Sequence, residues 1–116
     1  MIAIFAADSS RRSSFLLVDD RRRTFCRLPA LTANLALEIA PVRVNLIAAG
    51  FVDTPLSAEL LGDQLEKRRN QLRTTLPIGR VVGPADVAAL AVHIMTNTAL
   101  TGATYDIDGG QQFVAA

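Results

Sequence analysis

The chain has 116 residues, of which half are hydrophobic and a fifth charged, with a formal net charge of +1 and one cysteine. That length gives one domain or less, and the composition fits a globular class rather than a disordered one. The near-neutral charge points away from nucleic acid and anionic membranes, and the lone Cys26 leaves no internal disulfide to form. No apolar run reaches the ~20 residues of a bilayer-crossing helix, and the apolar start Met1–Ala7 lacks the basic stretch and length of a secretory signal. The expected setting is cytoplasmic.

Charge is unevenly spread. Residues 1–27 hold six arginines against Asp8, Asp19 and Asp20, whereas residues 28–116 hold six basic and eight acidic side chains. Ile2–Phe5 and Phe15–Val18 are short apolar runs of strand type, followed by the charge block Asp19–Arg23, a composition that stays solvated. Eleven arginines against one lysine suggest GC-rich coding, in which a frame slip readily generates arginine. Residues 1–27 therefore read as an irregular segment, unstructured or out of frame, and 28–116 as the folded unit.

From Leu28 onward periodicity is clear. Leu28, Leu31, Leu35 and Ile39 recur at helical spacing and predict a helix over Leu28–Ala40, stopped by Pro41. Val44–Ala48 is a strand-length apolar run suited to burial on both faces, and Gly50 ends the run after it. A polar helix is predicted over Ala58–Thr74, with Leu61, Leu65 and Leu72 on one side and Asp63 and Lys67 four apart. Gly83-Pro84 opens a helix over Pro84–Thr96, where Asp86 meets the positive helix end and Val87, Leu90, Ala91 and Ile94 form the buried stripe. Thr104–Ile107 is a last strand, closed by Asp108-Gly109-Gly110. This order is that of an α/β fold, and the intervening helix makes the two strands adjacent and parallel.

The block Ala36-Leu37-Glu38-Ile39-Ala40-Pro41 through Arg43-Val44-Asn45, followed by Gly50-Phe51-Val52-Asp53-Thr54-Pro55, resembles the short-chain dehydrogenase/reductase family. Ala49 stands where that family usually has a proline. Gly79-Arg80, Gly83-Pro84-Ala85-Asp86-Val87-Ala88, Leu100-Thr101-Gly102 and Asp106-Ile107-Asp108-Gly109-Gly110 continue the resemblance in order. It covers Leu28 to about Phe113, the second half of a complete member, and implies the C-terminal half of a Rossmann-like, doubly wound parallel sheet. By resemblance the cofactor is NAD or NADP and the cofactor-binding residues are Gly50, Val52 and Thr54. Val52 would offer backbone groups to the nicotinamide carboxamide and Thr54 its hydroxyl. Leu56–Leu76 matches the variable lid over the substrate, and the helix Leu28–Ala40 implies a homo-oligomer. Gly102 and Gly109 are expected in turns that need positive φ or close approach.

Two signatures of that chemistry are missing. No glycine-rich turn is spaced to cradle a pyrophosphate. Counting back with the family's spacing puts the catalytic tyrosine at Arg21, the lysine at Phe25 and the assisting serine at Asp8, next to Ser9 and Ser10. A guanidinium cannot shuttle a proton at neutral pH, and a benzyl group carries no charge. No catalytic residue is assigned. The resemblance thus implies an NAD(P)-dependent oxidoreductase, moving hydride between nicotinamide and an alcohol or ketone, truncated and inactive alone. A non-catalytic assembly or regulatory module derived from that fold is the alternative.

Other candidates are weak. His93 has no partner at ligand spacing, Tyr105 reads as a packing residue, and Cys26 beside Arg27 lacks a His or Asn companion. Lys67, Arg68, Arg69 and Arg73 share their stretch with Glu59, Asp63 and Glu66, which makes a salt-bridged solvated face. No metal or nucleic-acid motif is present in the sequence.

Overall fold

The structure, a computed structural model, describes residues 2–7, 13–18 and 27–114. In chain order the elements are β1 (Ile2–Ala7), β2 (Ser13–Val18), α1 (Arg27–Glu38), β3 (Arg43–Ala49), α2 (Pro55–Leu61), a 3₁₀ turn (Gly62–Gln64), α3 (Leu65–Thr75), α4 (Pro84–Thr96), β4 (Thr104–Ile107) and a second 3₁₀ turn (Gln111–Phe113). The strands form one sheet in the order β2-β1-β3-β4. β3 and β4 pair in parallel, with Leu46 opposite Thr104 and Ala49 opposite Ile107, as the crossover through α4 requires. The two apolar runs of the first 27 residues are both strands. They pair antiparallel with one another, and β1 pairs antiparallel with β3, so the sheet is mixed.

β3 is the spine of the fold, and its five central residues, Val44 to Ala48, are all buried. Neighbours on a strand point to opposite faces. Leu46 accordingly packs with Leu28 of α1, while Ile47 packs with Ile94 of α4. Val87, Leu90 and Ala91 pack, partly buried, against that second cluster, so the stripe expected on α4 is the one that faces the core, with Ile94 its buried member. Tyr105 is a packing residue of the same cluster.

The predicted first helix forms, with Leu28 and Thr32 buried and Leu31 and Ile39 exposed; one other expectation needs correction. Thr32 can go inside because its hydroxyl donates to the Leu28 carbonyl at 2.7 Å, which satisfies its one polar group. The Ala58–Thr74 helix is instead two helices broken at Gly62, whose φ of +49° is unsuited to other side chains. Asp63 falls in the resulting 3₁₀ turn, off helical spacing, and forms no ion pair with Lys67.

Polar side chains of β3 hold the far layer. The Arg43 guanidinium donates to the carbonyls of Ile94, Met95 and Asn97, which the end of α4 leaves without helical partners, and to that of Leu100 in the loop beyond. Buried Asn45 donates to the Leu100 carbonyl at 3.0 Å and accepts the Ala103 N–H at 3.4 Å. Gly102 and Gly109 take positive φ, as expected of turns.

Candidate functional site

The carboxyl ends of β3 and β4 lie side by side, the position where open α/β sheets bind ligands. A cleft of about 210 Å³ opens there, lined by Ala48, Gly50, Asp106, Asp108, Gln111 and Gln112 among others. A second, of about 430 Å³, lies between Ile78, Arg80, Val82 and the Asp108-Gly109-Gly110 turn.

The loop after β3 is tied residue by residue. Gly50 leaves no room for a side chain: a Cβ there would meet Gln111 Oε1 at 2.6 Å and Asp108 Cβ at 2.8 Å. That closeness lets Gln111 Oε1 accept the Phe51 N–H at 3.0 Å. Val52 is buried and forms an isolated parallel bridge with Val82. The bond there runs from Asp53 N–H to the Val82 carbonyl at 2.9 Å, so Val52's own N–H and C=O have no hydrogen-bond partner among the described residues.

Thr54 caps α2. Its hydroxyl accepts the Ser57 N–H at 3.2 Å, the Ser57 hydroxyl accepts the Thr54 N–H at 2.9 Å, and Pro55 takes the first helical turn. As an acceptor in that cap, the Thr54 hydroxyl still has its proton to donate. The three residues singled out in the sequence, Gly50, Val52 and Thr54, thus lie on one short loop at the mouth of the sheet. Gly50 provides clearance, Val52 unpaired backbone and Thr54 a hydroxyl.

Two residues that the spacing gave no reason to choose hold this loop. One is Gln111. The other is Arg69, whose Nε and Nη2 each donate to one Asp53 carboxylate oxygen at 2.9 Å, and which also pairs with Glu66. These carboxylates raise the already high guanidinium pKa, Asp53 contributing most. Of the salt bridges expected within this basic stretch, Arg69–Glu66 is the one formed among the described residues, while Arg68 and Arg73 bond to Gln71 and Asn70. Arg80 pairs with Asp86 through two bonds of 2.7 and 2.8 Å. Hydrogen bonds from Arg80 and then from the Gly83 N–H hold the Asp86 carboxyl down at about 2, below its ordinary 3.8. His93 is exposed near the end of α4. Arg21, Phe25, Asp8, Ser9, Ser10 and Cys26 lie outside the described residues. No helix among the described residues is long and apolar enough to cross a membrane.

Comparison with known proteins agrees with this geometry. A family model described as enoyl-(acyl carrier protein) reductase matches residues 26–112. The short-chain dehydrogenase/reductase malC of Malbranchea aurantiaca is 35% identical over 80 residues, which is 69% of this chain and 30% of that protein. The 3beta-hydroxysteroid dehydrogenase 1 of Eggerthella lenta is 42% identical over 84 residues, 69% of this chain and 31% of that protein. Among solved structures, MalC reductase/Diels-Alderase from Malbranchea aurantiaca superimposes with a TM-score of 0.71 at 32% identity, covering 76% of this chain and 34% of the other. A small-chain dehydrogenase in complex with NADPH gives 0.70 at 31% identity, covering 76% and 40%. The chain thus spans about a third of the length of these curated relatives. With the match running from the first turn of α1 to the second 3₁₀ turn, the chain belongs to the short-chain dehydrogenase/reductase family.

Proposed function

We propose that this chain carries the nicotinamide-side part of an NAD(P)-dependent oxidoreductase site and that it has no turnover alone. In complete members the reaction moves hydride between nicotinamide and an alcohol or ketone carbon. The observation that supports the reading is the Val52 peptide, whose donor and acceptor are unpaired among the described residues, while its two chain neighbours Phe51 and Asp53 are both bonded. Such groups suit a carboxamide, which needs one donor and one acceptor and is met here without loss of side-chain entropy. The NADPH complex of a structural relative supports the cofactor class. The pyrophosphate is not provided for: no glycine-rich turn stands in the sequence.

The proton donor is missing as well, since Arg21 and Phe25 occupy the positions of the tyrosine and lysine. General acid–base help is worth ~10²–10⁴-fold in rate. Residues 1–27 read in this proposal as out of frame with the rest, in a cytoplasmic protein. One of the two other reading frames upstream of Leu28 should then encode a tyrosine and a lysine four residues apart, and nucleotide sequence lacking both would remove that idea.

Titration of NADH and NADPH against the purified chain, followed by cofactor fluorescence, tests the main reading. Binding should be millimolar at best, with no oxidation of secondary alcohols. Saturable micromolar binding or measurable turnover would overturn the claim of inactivity.

A second reading, an assembly module, is favoured by α1. Leu31 and Leu37 are 45% and 82% exposed on α1, and Ile39 is 41% exposed just beyond its end, apolar side chains that a second copy would cover.

A further inference from the structure

We infer that Arg69 is a positioning residue for the Val52 peptide, clasping the loop after β3 to helix α3 through Asp53; the inference rests on the function proposed above. Three of the loop's ties are made to the strand-end turns or to its own helix cap: Phe51 to Gln111, Asp53 N–H to Val82, and Thr54 to Ser57. Of the loop's hydrogen bonds and ion pairs named here, the Arg69–Asp53 pair is the one that reaches across to α3, sixteen residues further along the chain.

Its geometry is a fork. Nε meets Oδ2 and Nη2 meets Oδ1, both at 2.9 Å, which fixes the plane of the carboxylate as well as its distance. The two side chains are 26% and 27% exposed, so water competes less than at an open surface pair. The guanidinium is set before it meets the loop, because Glu66, one turn back on α3, takes its remaining edge. Leu72, one turn forward and 2% exposed, seats that part of α3 in the core.

Arg68 acts on the other side of Val52. Its Cζ stands 5.9 Å from the centroid of the Phe51 ring, within cation–π range. Two consecutive residues of α3 therefore grip the two chain neighbours of Val52, whose backbone is the unpaired part. Any displacement of α3 is passed to the peptide that would face the cofactor. A lysine at 69 would keep the charge and lose the fork.

The test uses the ¹⁵N-labelled chain with two readouts: exchange of the Asp53 amide, and shifts of the Val52 amide during titration with NADH or NADPH. Arg69→Gln should speed Asp53 exchange about fivefold, the factor of a partly exposed ion pair, and weaken the Val52 titration by a similar factor. Arg69→Lys should fall between, and should serve for both readouts if the glutamine variant does not fold. The swap Asp53→Arg with Arg69→Asp should recover part of both effects. Arg73→Gln, which removes only an exposed bond to Asn70, should change neither.

Asp53 exchange unchanged by Arg69→Gln, or raised no more than that of the Leu72 amide, would overturn the clasp. Faster exchange with an unaltered Val52 titration would overturn the positioning role. If neither cofactor at millimolar concentration shifts Val52 in the unaltered chain, the nicotinamide-side reading fails while the claim of inactivity stands, and Asp53 exchange alone decides whether α3 holds the loop.

Discussion

Arg43 at the start of β3 donates to the carbonyl of Ile94, the buried anchor of α4, at 3.0 Å. The same guanidinium serves three more carbonyls, so one side chain closes the end of a helix fifty residues away. Replacing it by methionine roughly keeps volume but strands the Ile94 and Met95 carbonyls, while Asn97 and Leu100 keep the Leu100 N–H and the Asn45 amide. Arg43→Met should lower unfolding free energy by about 2–3 kcal/mol in urea denaturation. Arg43→Lys should recover only part, since an ammonium cannot reach all four.

Asp86 makes stability depend on acid pH. Its folded carboxyl is held down to about 2 by Arg80 and the Gly83 N–H, below the ordinary 3.8. A depressed carboxyl contributes fully above its unfolded pKa, and the contribution is lost as pH falls through the folded value. The difference in melting temperature between the unaltered chain and Asp86→Asn should therefore be greatest above about pH 4 and shrink toward pH 2. A difference constant across that window would show that the pair does not stabilise the fold.

Gly50→Ala would press a methyl group against Gln111 Oε1 and Asp108 Cβ, at 2.6 and 2.8 Å. A loss of about 1–3 kcal/mol is expected, read from the denaturant midpoint. Adding Gln111→Ala should not restore stability, because Asp108 remains and the Phe51 N–H loses its acceptor.

Leu37 is 82% exposed, so Leu37→Lys should leave the fold intact by circular dichroism. Sedimentation should show smaller species than the unaltered chain gives at equal concentration. Identical sedimentation of the two proteins would count against assembly through α1.

Much of this was legible in the sequence because it is local. Pro84 and Asp86 mark the start of α4, and its apolar spacing gives the buried stripe through Ile94. The unbroken apolar run of β3 announced burial on both faces. The loop residues Gly50, Val52 and Thr54 were singled out through the family resemblance, and the structure places them on one loop after that strand. What the sequence hid depends on partners far along the chain. Arg69 looked like one cation among four until folding brought Asp53 to it. Thr32 reads as a surface residue unless its bond back to Leu28 is known. The break at Gly62 was obscured because leucines continue on both sides of it. Antiparallel pairing of β1 with β3 has no local signature, since short apolar runs give strand type but not direction.

Asn45 settles a question of alignment. In a strand with one wet face, a slip of one residue turns apolar side chains out to water, and that penalty fixes which residues stand opposite one another. β3 is buried on both sides, so its aliphatic residues discriminate poorly between neighbouring alignments with β4. The Asn45 amide does discriminate: it offers hydrogen toward Leu100 and oxygen toward Ala103. Moved by one residue, the segment leading into β4 would meet it with the wrong groups, and a buried amide would go unanswered. The one polar side chain in the middle of the spine thus works as a ruler, and the offset it measures brings the ends of β3 and β4 level beneath Gly50.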